Sequence, residues 1–303
     1  MRRFFLVLLA VFALTSVSAF ARGSHTHNRS ISFDDDDVMS ASDCSAMRVR
    51  FDDERVPVVA ENVPVGNVRS LRVQSDQNGG VRVIGNSSNG YAVTACKAVG
   101  MSVDPAQVRA TLNGDTVSAD GPDSGDWVVY FIVQTPRNAT LDVRSSNGPI
   151  SVYQFDGNLT ARAHNGPLGI KNSTGTIDAS TQNGPISIDG GSGTVKLNAT
   201  NGPLAVKLDG SAWNGSLDAS TQNGPLALKL PRGFRSGVVV ESNGHGPLSC
   251  HAEGCYAATR AARTTNSDDD DDWNEPRRIE LGSGSANVHL STVNGPISIK
   301  DRD

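Results

Sequence analysis

The stretch Ile177-Asp178-Ala179-Ser180-Thr181-Gln182-Asn183-Gly184-Pro185-Ile186-Ser187-Ile188 decides the reading of the whole chain. Apolar residues stand at Ile177 and Ala179 and again at Ile186 and Ile188, with polar residues between them. Alternation of period two marks a strand with one buried face and one face in water. Between the two strands stands Asn183-Gly184-Pro185. Asn and Gly both accept positive φ, so the pair signals a tight turn. Proline has no N–H to give, and it is tolerated at the first residue of the strand that follows.

The same tripeptide recurs at Asn147-Gly148-Pro149, Asn165-Gly166-Pro167, Asn201-Gly202-Pro203, Asn223-Gly224-Pro225 and Asn294-Gly295-Pro296. From Asn147 to Asn201 the step is 18 residues, and the next step is 22, stretched over Leu208 to Gly215. A degenerate copy, Asn243-Gly244-His245-Gly246-Pro247, carries a two-residue insertion. After each tripeptide comes an apolar pair: Ile150/Val152, Leu168/Ile170, Ile186/Ile188, Leu204/Val206, Leu226/Leu228 and Ile297/Ile299. A second set precedes it: Leu141/Val143, Leu159/Ala161, Ile177/Ala179, Val195/Leu197 and Leu217/Ala219. Glycine marks the turn between the two sets at Gly157, Gly175, Gly193 and Gly215.

Two all-β architectures fit this pattern. In a β-solenoid, 18-residue coils stack on one another about 4.8 Å apart. In an antiparallel meander, the Asn-Gly turns close hairpins. Whole coils recur in frame, and each needs its neighbours to bury its apolar face, which favours the solenoid. Stacked coils would also stack the Asn side chains as an amide ladder.

The segment Leu141-Asp142-Val143-Arg144-Ser145-Ser146-Asn147-Gly148-Pro149-Ile150-Ser151-Val152 resembles the exported β-strand-repeat proteins grouped as the "putative adhesin" family, a domain of unknown function. Leu230-Pro231-Arg232-Gly233 matches that family's Leu-Pro-x-Gly-like turn, and Thr135-Pro136-Arg137-Asn138 is a weaker copy. The resemblance covers roughly Val63 to Lys300. It implies a β-solenoid or β-helix-like fold and an exported location, and it brings no catalytic residues with it. The proline after each Asn-Gly, the cysteines and the insertion from Cys250 to Gly284 depart from the family pattern.

Composition agrees with a thin interior. Of 303 residues, 31 are Gly and only 5% are aromatic, so large core side chains are few. Met1 to Ala21 reads as a secretory signal: Arg2 and Arg3 form its basic start, and Phe4 to Leu14 is an apolar run too short to span a bilayer comfortably. An ordinary signal is preferred over a twin-arginine one. Removing Arg2 and Arg3 leaves 25 basic and 32 acidic residues, so the charge moves from −5 to −7. That balance disfavours nucleic acid as a partner. No later segment is apolar enough to cross a membrane.

Residues 22–62 read as a polar and acidic N-terminal arm, with a first ordered segment near Cys44. Residues 63–135 read as an irregular β cap, with strands near Leu71/Val73 and Val81/Val83, a hairpin at Asn113-Gly114 and the apolar run Trp127 to Val133. Residues 136–303 read as the solenoid, interrupted by an acidic loop insertion at 251–284 that holds Asp268 to Asp272. The final strand, Ile297 to Ile299, is expected to close the far end.

Four cysteines in an exported chain point to disulfides, and Cys44–Cys96 with Cys250–Cys255 is the preferred pairing. The rival is a metal site from Cys250, His251 and Cys255, whose spacing matches no standard zinc pattern and lacks a fourth ligand. Unbroken runs such as Asp34 to Asp37 read as solvated segments rather than calcium sites. The carboxylates available to a carbohydrate-active enzyme are Asp142, Asp178, Asp189, Asp209 and Asp218. Asp142, Asp178 and Asp218 share one repeat position, which reads as an outward column more than as a catalytic pair. His164, His245, His251 and His289 form no triad spacing. The seven Asn-x-Ser/Thr sequons, Asn138, Asn158 and Asn198 among them, follow from composition.

The residues therefore describe a non-enzymatic exported protein, periplasmic or at the cell surface, that serves as a binding or adhesin-like or structural element of the envelope. The alternatives are a carbohydrate-active enzyme on a β-helix scaffold, or an accessory partner of an envelope stress-sensing system. No cofactor is called for. The residues name no partner, and an envelope polysaccharide or protein is the class a flat polar face suits. Titration of the oxidised, unfolded protein is expected to find no free thiol; finding four would sink the disulfide reading.

Overall fold

Strands of this chain pair across one repeat rather than across one turn. The computed structural model describes residues 31–33, 40–52, 54–85, 90–123, 125–242, 246–255 and 277–302. The signal segment 1–21, the acidic run Asp34 to Asp37, the degenerate Asn243-Gly244-His245 and the run Asp268 to Asp272 lie outside them. Leu159 of the strand Asp156–Asn165 stands opposite Leu141 on one side and Ile177 on the other, both in parallel register. A meander would pair sequence neighbours antiparallel; here the repeat step is the hydrogen-bonding step.

Two parallel ladders result. The first runs through Thr116–Asp120, Leu71–Asn78, Ala139–Asn147, Asp156–Asn165, the second half of Leu168–Asn183, Gly193–Asn201, Gly215–Asn223, Ala286–Asn294 and Gly237–Ser242. The second runs through Trp127–Gln134, Val81–Ile84, Ile150–Tyr153, the first half of Leu168–Asn183, Ile186–Gly191, Leu204–Lys207, Leu226–Leu230, Ile297–Asp301 and Leu248–Cys250. The long strand Leu168–Asn183 belongs to both, so the ladders form parts of one 21-stranded sheet. The chain is all-β, with a large sheet. Residues of the alternating pairs are buried throughout: Leu141, Ile177, Leu197, Ile186 and Ile188 are at most 2% exposed. Fully burying one such side chain stabilises by about 1.5–3 kcal/mol.

The turns stack as closely as the strands. Gly166 N–H donates to Asn183 O at 3.0 Å, and Gly184 N–H to Asn201 O at 3.0 Å. Each turn therefore bonds to its neighbour instead of closing on itself. A Cβ on Gly184 would lie 2.2 Å from Gly166 O, and one on Gly193 would lie 2.2 Å from Gly175 O. Glycine is thus demanded at both turn columns by contact with the adjacent turn. Proline leaves a debt here, because it sends no N–H to the glycine carbonyl beside it. Hydroxyls supply the missing donor: Thr181 Oγ1 to Gly166 O at 3.2 Å, Thr221 Oγ1 to Gly202 O at 2.8 Å and Thr292 Oγ1 to Gly224 O at 3.0 Å. Outside the turns, the Asn amides bond in series, with Nδ2 of Asn165, Asn183, Asn201, Asn223 and Asn294 each donating to the preceding Oδ1 at 2.8–3.0 Å.

The chain does not stack in sequence order at either end. Leu71–Asn78 and Val81–Ile84 pair with the Asn147 repeat, so Asn78-Gly79-Gly80 is a further turn with glycine in the proline place. A Cβ on Gly80 would lie 2.4 Å from Pro149 O and 2.7 Å from the Tyr130 ring. At the far end, the expected closing strand is a correction. Ala286–Asn294 and Ile297–Asp301 lie between the Asn223 repeat and the strands Gly237–Ser242 and Leu248–Cys250. The last repeat is wedged inside the stack, and an earlier piece of chain covers it. Arg302 fixes it there, donating to Leu208 O at 2.8 Å and pairing with Asp189 at 2.9 Å.

Antiparallel pieces flank the parallel rungs. Arg109–Asn113 pairs with Thr116–Asp120 around Gly114, and Arg277–Leu281 pairs with Gly237–Ser242. Ala92–Val99 and then Val58–Val63 extend the second ladder beyond Trp127–Gln134. Residues 40–62, grouped with the arm on sequence, hold the strands Val49–Phe51 and Glu54–Val56 and all but the last residue of Val58–Val63, which crosses the expected boundary.

Gly184→Ala is expected to destabilise by about 2–4 kcal/mol through overlap with the neighbouring turn. Gly66→Ala, with open space around it, should be near neutral; equal denaturation midpoints for the two would contradict the stacked-turn account. Asn183→Ala and Asn201→Ala should each lower the melting temperature by about 2–4 °C. The double variant should lose less than the sum, because the two share one hydrogen bond. Strict additivity would argue against the amide ladder.

Candidate functional site

The parallel register turns each repeat position into a column, and two outward faces follow. On the first ladder, one column reads Arg72, Asp142, Thr160, Asp178, Lys196, Asp218 and His289. The three aspartates seen in sequence thus share a column, but Thr160 and Lys196 separate them. Asp142 and Asp178 line one depression of about 310 Å³ together with Asp115 and Arg72. Two rungs part their backbones, about 9–10 Å at parallel-strand spacing. Each is engaged by arginine. Asp142 lies 3.5 Å from Arg72 and 3.2 Å from Arg144, and Asp178 lies 2.8 Å from Arg162. Both carboxylates are thus occupied by ion pairs within the sheet surface, an arrangement that suits a structural role.

The second ladder carries a different face. Ser151, Gly169, Ser187, Ala205, Ala227 and Ser298 form a floor of small residues. Beside it runs the column Tyr153, Lys171, Asp189, Lys207, Lys229 and Lys300. The part of this face over Ser151, Gly169, Ser187 and Ala205 is a groove of about 340 Å³, walled by Lys171, Asp189 and Lys207. Ser40, Arg82 and Tyr153 close one end. Arg82 Nη1 donates to Ser151 Oγ at 2.7 Å, and its guanidinium lies 5.9 Å from the centre of the Tyr153 ring, a cation–π distance. Burial pushes the Arg82 guanidinium below its usual range and the Tyr130 phenol beside it well above its own.

That closed end is built by the N-terminal segment. Ala41, Cys44 and Met47 pack with Cys96, Tyr130 and Ile132 in a small core outside the main one. The Cys44–Cys96 disulfide ties the segment down, with Cα atoms 5.3 Å apart. Cys250–Cys255 closes a short loop at the other end, with Cα atoms 5.7 Å apart. With both cysteines in a disulfide, the Cys250, His251 and Cys255 metal set is overturned. His251 Nδ1 instead lies 3.0 Å from Ser249 Oγ.

The remaining sequence candidates stand apart. Asp189 is held by Lys207 at 4.0 Å and Arg302 at 2.9 Å, while Asp209 sits exposed beside the Gly190 turn. Asp218 and His289 are opposite one another on adjacent rungs, and His164 is exposed near the Asn edge. His245 lies outside the described residues. Among the described residues, no group of three or more His, Cys, Asp or Glu is placed to hold a metal. Sequence reasoning missed the lysine column, although its signal is simple: Lys171, Lys207, Lys229 and Lys300 each stand six residues after the Asn of a repeat. It also missed Arg82, which no periodicity marks.

No helix among the described residues is long and apolar enough to cross a membrane, a statement that does not extend to β-barrels. No family model matches the chain, and no curated protein matches it. Solved structures do show likeness. One is a "putative cell adhesion protein" from Clostridium sporogenes, 10% identical, with 81% of this chain and 100% of that one covered, at a TM-score of 0.29. Another is a "putative adhesin" from Bacteroides fragilis, 10% identical, covering 81% and 97%, at 0.26. A third is a "putative lipid binding protein" from Parabacteroides distasonis, 9% identical, covering 81% and 97%, at 0.31. At these TM-scores the likenesses transfer neither a ligand nor an activity.

Proposed function

We propose that this chain is an exported, non-enzymatic β-solenoid that acts at the cell envelope as a binding or adhesin-like element. The observation that carries the reading is the in-register outward face: every rung presents the same positions at strand spacing, on a backbone fixed by its neighbours. Such a face is rigid and repetitive, which suits contact along the length of a partner. The coils number 18 residues where they are regular. Residues 63–135 act as the cap of one end. The apolar run before Ala21 and the two disulfides support export to an oxidising compartment, periplasm or cell surface.

The enzymatic alternative would draw on Asp142 and Asp178, the two candidates that share a depression. Their arginine partners favour a structural role for both. The test is retention of the purified protein on whole cells and on isolated envelopes of its source. Co-sedimentation with either is expected; protein left in the supernatant with both would overturn the binding reading. Product release from pectin, alginate or peptidoglycan would overturn the non-enzymatic one.

A further inference from the structure

Like charges stand opposite one another in two places on the parallel outward columns. Arg144 faces Arg162, and each is paired with an aspartate, Asp142 at 3.2 Å and Asp178 at 2.8 Å. Elsewhere acids stand opposite bases: Arg72 and Asp142, Lys171 and Asp189, Asp189 and Lys207, Asp178 and Lys196, Lys196 and Asp218. On three consecutive rungs of the second ladder the alternation stops. Lys207 stands opposite Lys229, and Lys229 opposite Lys300. All three are exposed. At a spacing of about 4.8 Å they sit well inside the screening length of physiological salt, about 8 Å. Like charges placed directly opposite one another destabilise a sheet. Asp189 borders the row at one end, 4.0 Å from Lys207, but Arg302 lies 2.9 Å from its other oxygen. The arginine pair has one acid for each base, whereas the three lysines share a single acid already engaged by Arg302, which marks the row as a site under a different demand.

The surroundings of the row define what fits. Ala205, Ala227 and Ser298 make the floor beside it, and exposed Pro203, Pro225 and Pro296 border the floor on its other side. Nothing on that floor is larger than Ser, so a thin chain can lie flat across the rungs. We infer that Lys207, Lys229 and Lys300 form the binding track for a linear anionic polysaccharide, one with a carboxylate on successive sugars. This rests on the envelope-binding reading and adds the ligand class to it.

Other polyanions fit less well. An anionic bilayer needs an apolar anchor beside the cations. The exposed large apolar side chains among the described residues are Val59, Met101 and Val293, none of them in the row or on its floor. Duplex nucleic acid carries its charge around a wide cylinder that a single file of lysines meets along one line, and a chain of formal charge −5 repels it elsewhere.

The experiment compares the exported chain with the triple variant Lys207→Gln, Lys229→Gln, Lys300→Gln. The probes are polygalacturonate, neutral dextran and phosphatidylglycerol vesicles, with the melting temperature recorded for each protein. Native protein should bind polygalacturonate, and less tightly as salt rises. The triple variant should bind roughly tenfold more weakly or worse, with an equal or higher melting temperature because repulsion is relieved. Lys196→Gln, on the other ladder, should bind as the native protein does. Undiminished binding by the triple variant overturns the inference, and so does equal affinity for dextran. Binding to vesicles without binding to polygalacturonate overturns it in favour of a lipid surface. Retention on envelopes without polygalacturonate binding overturns the ligand class alone, whereas loss of both removes the envelope reading as well.

Discussion

Everything in this molecule depends on one Asn-Gly-Pro turn lying directly on the next. The contact is so close that a Cβ at Gly166 would fall 2.2 Å from Gly148 O. That distance fixes glycine in the column, and the glycine N–H then bonds to the Asn carbonyl of the adjacent rung. Proline stiffens the chain where the next strand begins, yet it removes the donor that the neighbouring glycine carbonyl needs. Threonine answers that loss, its buried hydroxyl reaching across the rung at Thr181, Thr221 and Thr292. Four residue types in one turn are thus a single solution to stacking, and changing one alters the demand on the others.

A stack of identical rungs has two open ends, and unpaired strand edges invite association. This chain treats both ends by leaving sequence order. Near the start, the Asn78 rung lies beneath the Asn147 rung while the chain between them builds antiparallel strands around Trp127–Gln134. Near the end, the last rung enters the stack and the less regular Gly237–Ser242 piece takes the outer place. Short antiparallel strands, Arg109–Asn113 and Arg277–Leu281, then lie along the outer edges of the first ladder. Placing the regular rung inside and the irregular one outside puts the best hydrogen-bonding surface where both of its sides are used.

The sequence made the strands, the turns and their period legible because each depends on neighbours at fixed offsets. Period two at Ile186 and Ile188 shows one buried face, and a constant 18-residue step carries that face from rung to rung. Rung order was not legible, since Ile297–Asp301 has the same pattern whether it lies at the end of the stack or inside it. Glycine at the proline place hid the Asn78 rung. The site was less legible than the fold. The repeat shows which positions face outward, but Arg82 reaches Ser151 across 69 residues of chain, and no local pattern encodes that contact. The lysine column could be read by carrying the repeat alignment six residues past each Asn.

A face made of repeated positions also constrains the kind of partner it can serve. A single rung of the Lys207, Lys229 and Lys300 row offers one lysine, one small floor residue and one proline, which is a weak contact by itself. Strength must come from several rungs acting together, as linked weak contacts raise overall affinity without any new kind of interaction. Because the rungs are fixed by their turns, little ordering of the protein opposes such binding, and the main conformational loss falls on the partner. A compact ligand touches too few rungs to benefit. An extended and repetitive one gains with each rung it reaches, up to the wedge formed by the last repeat and the strand that covers it.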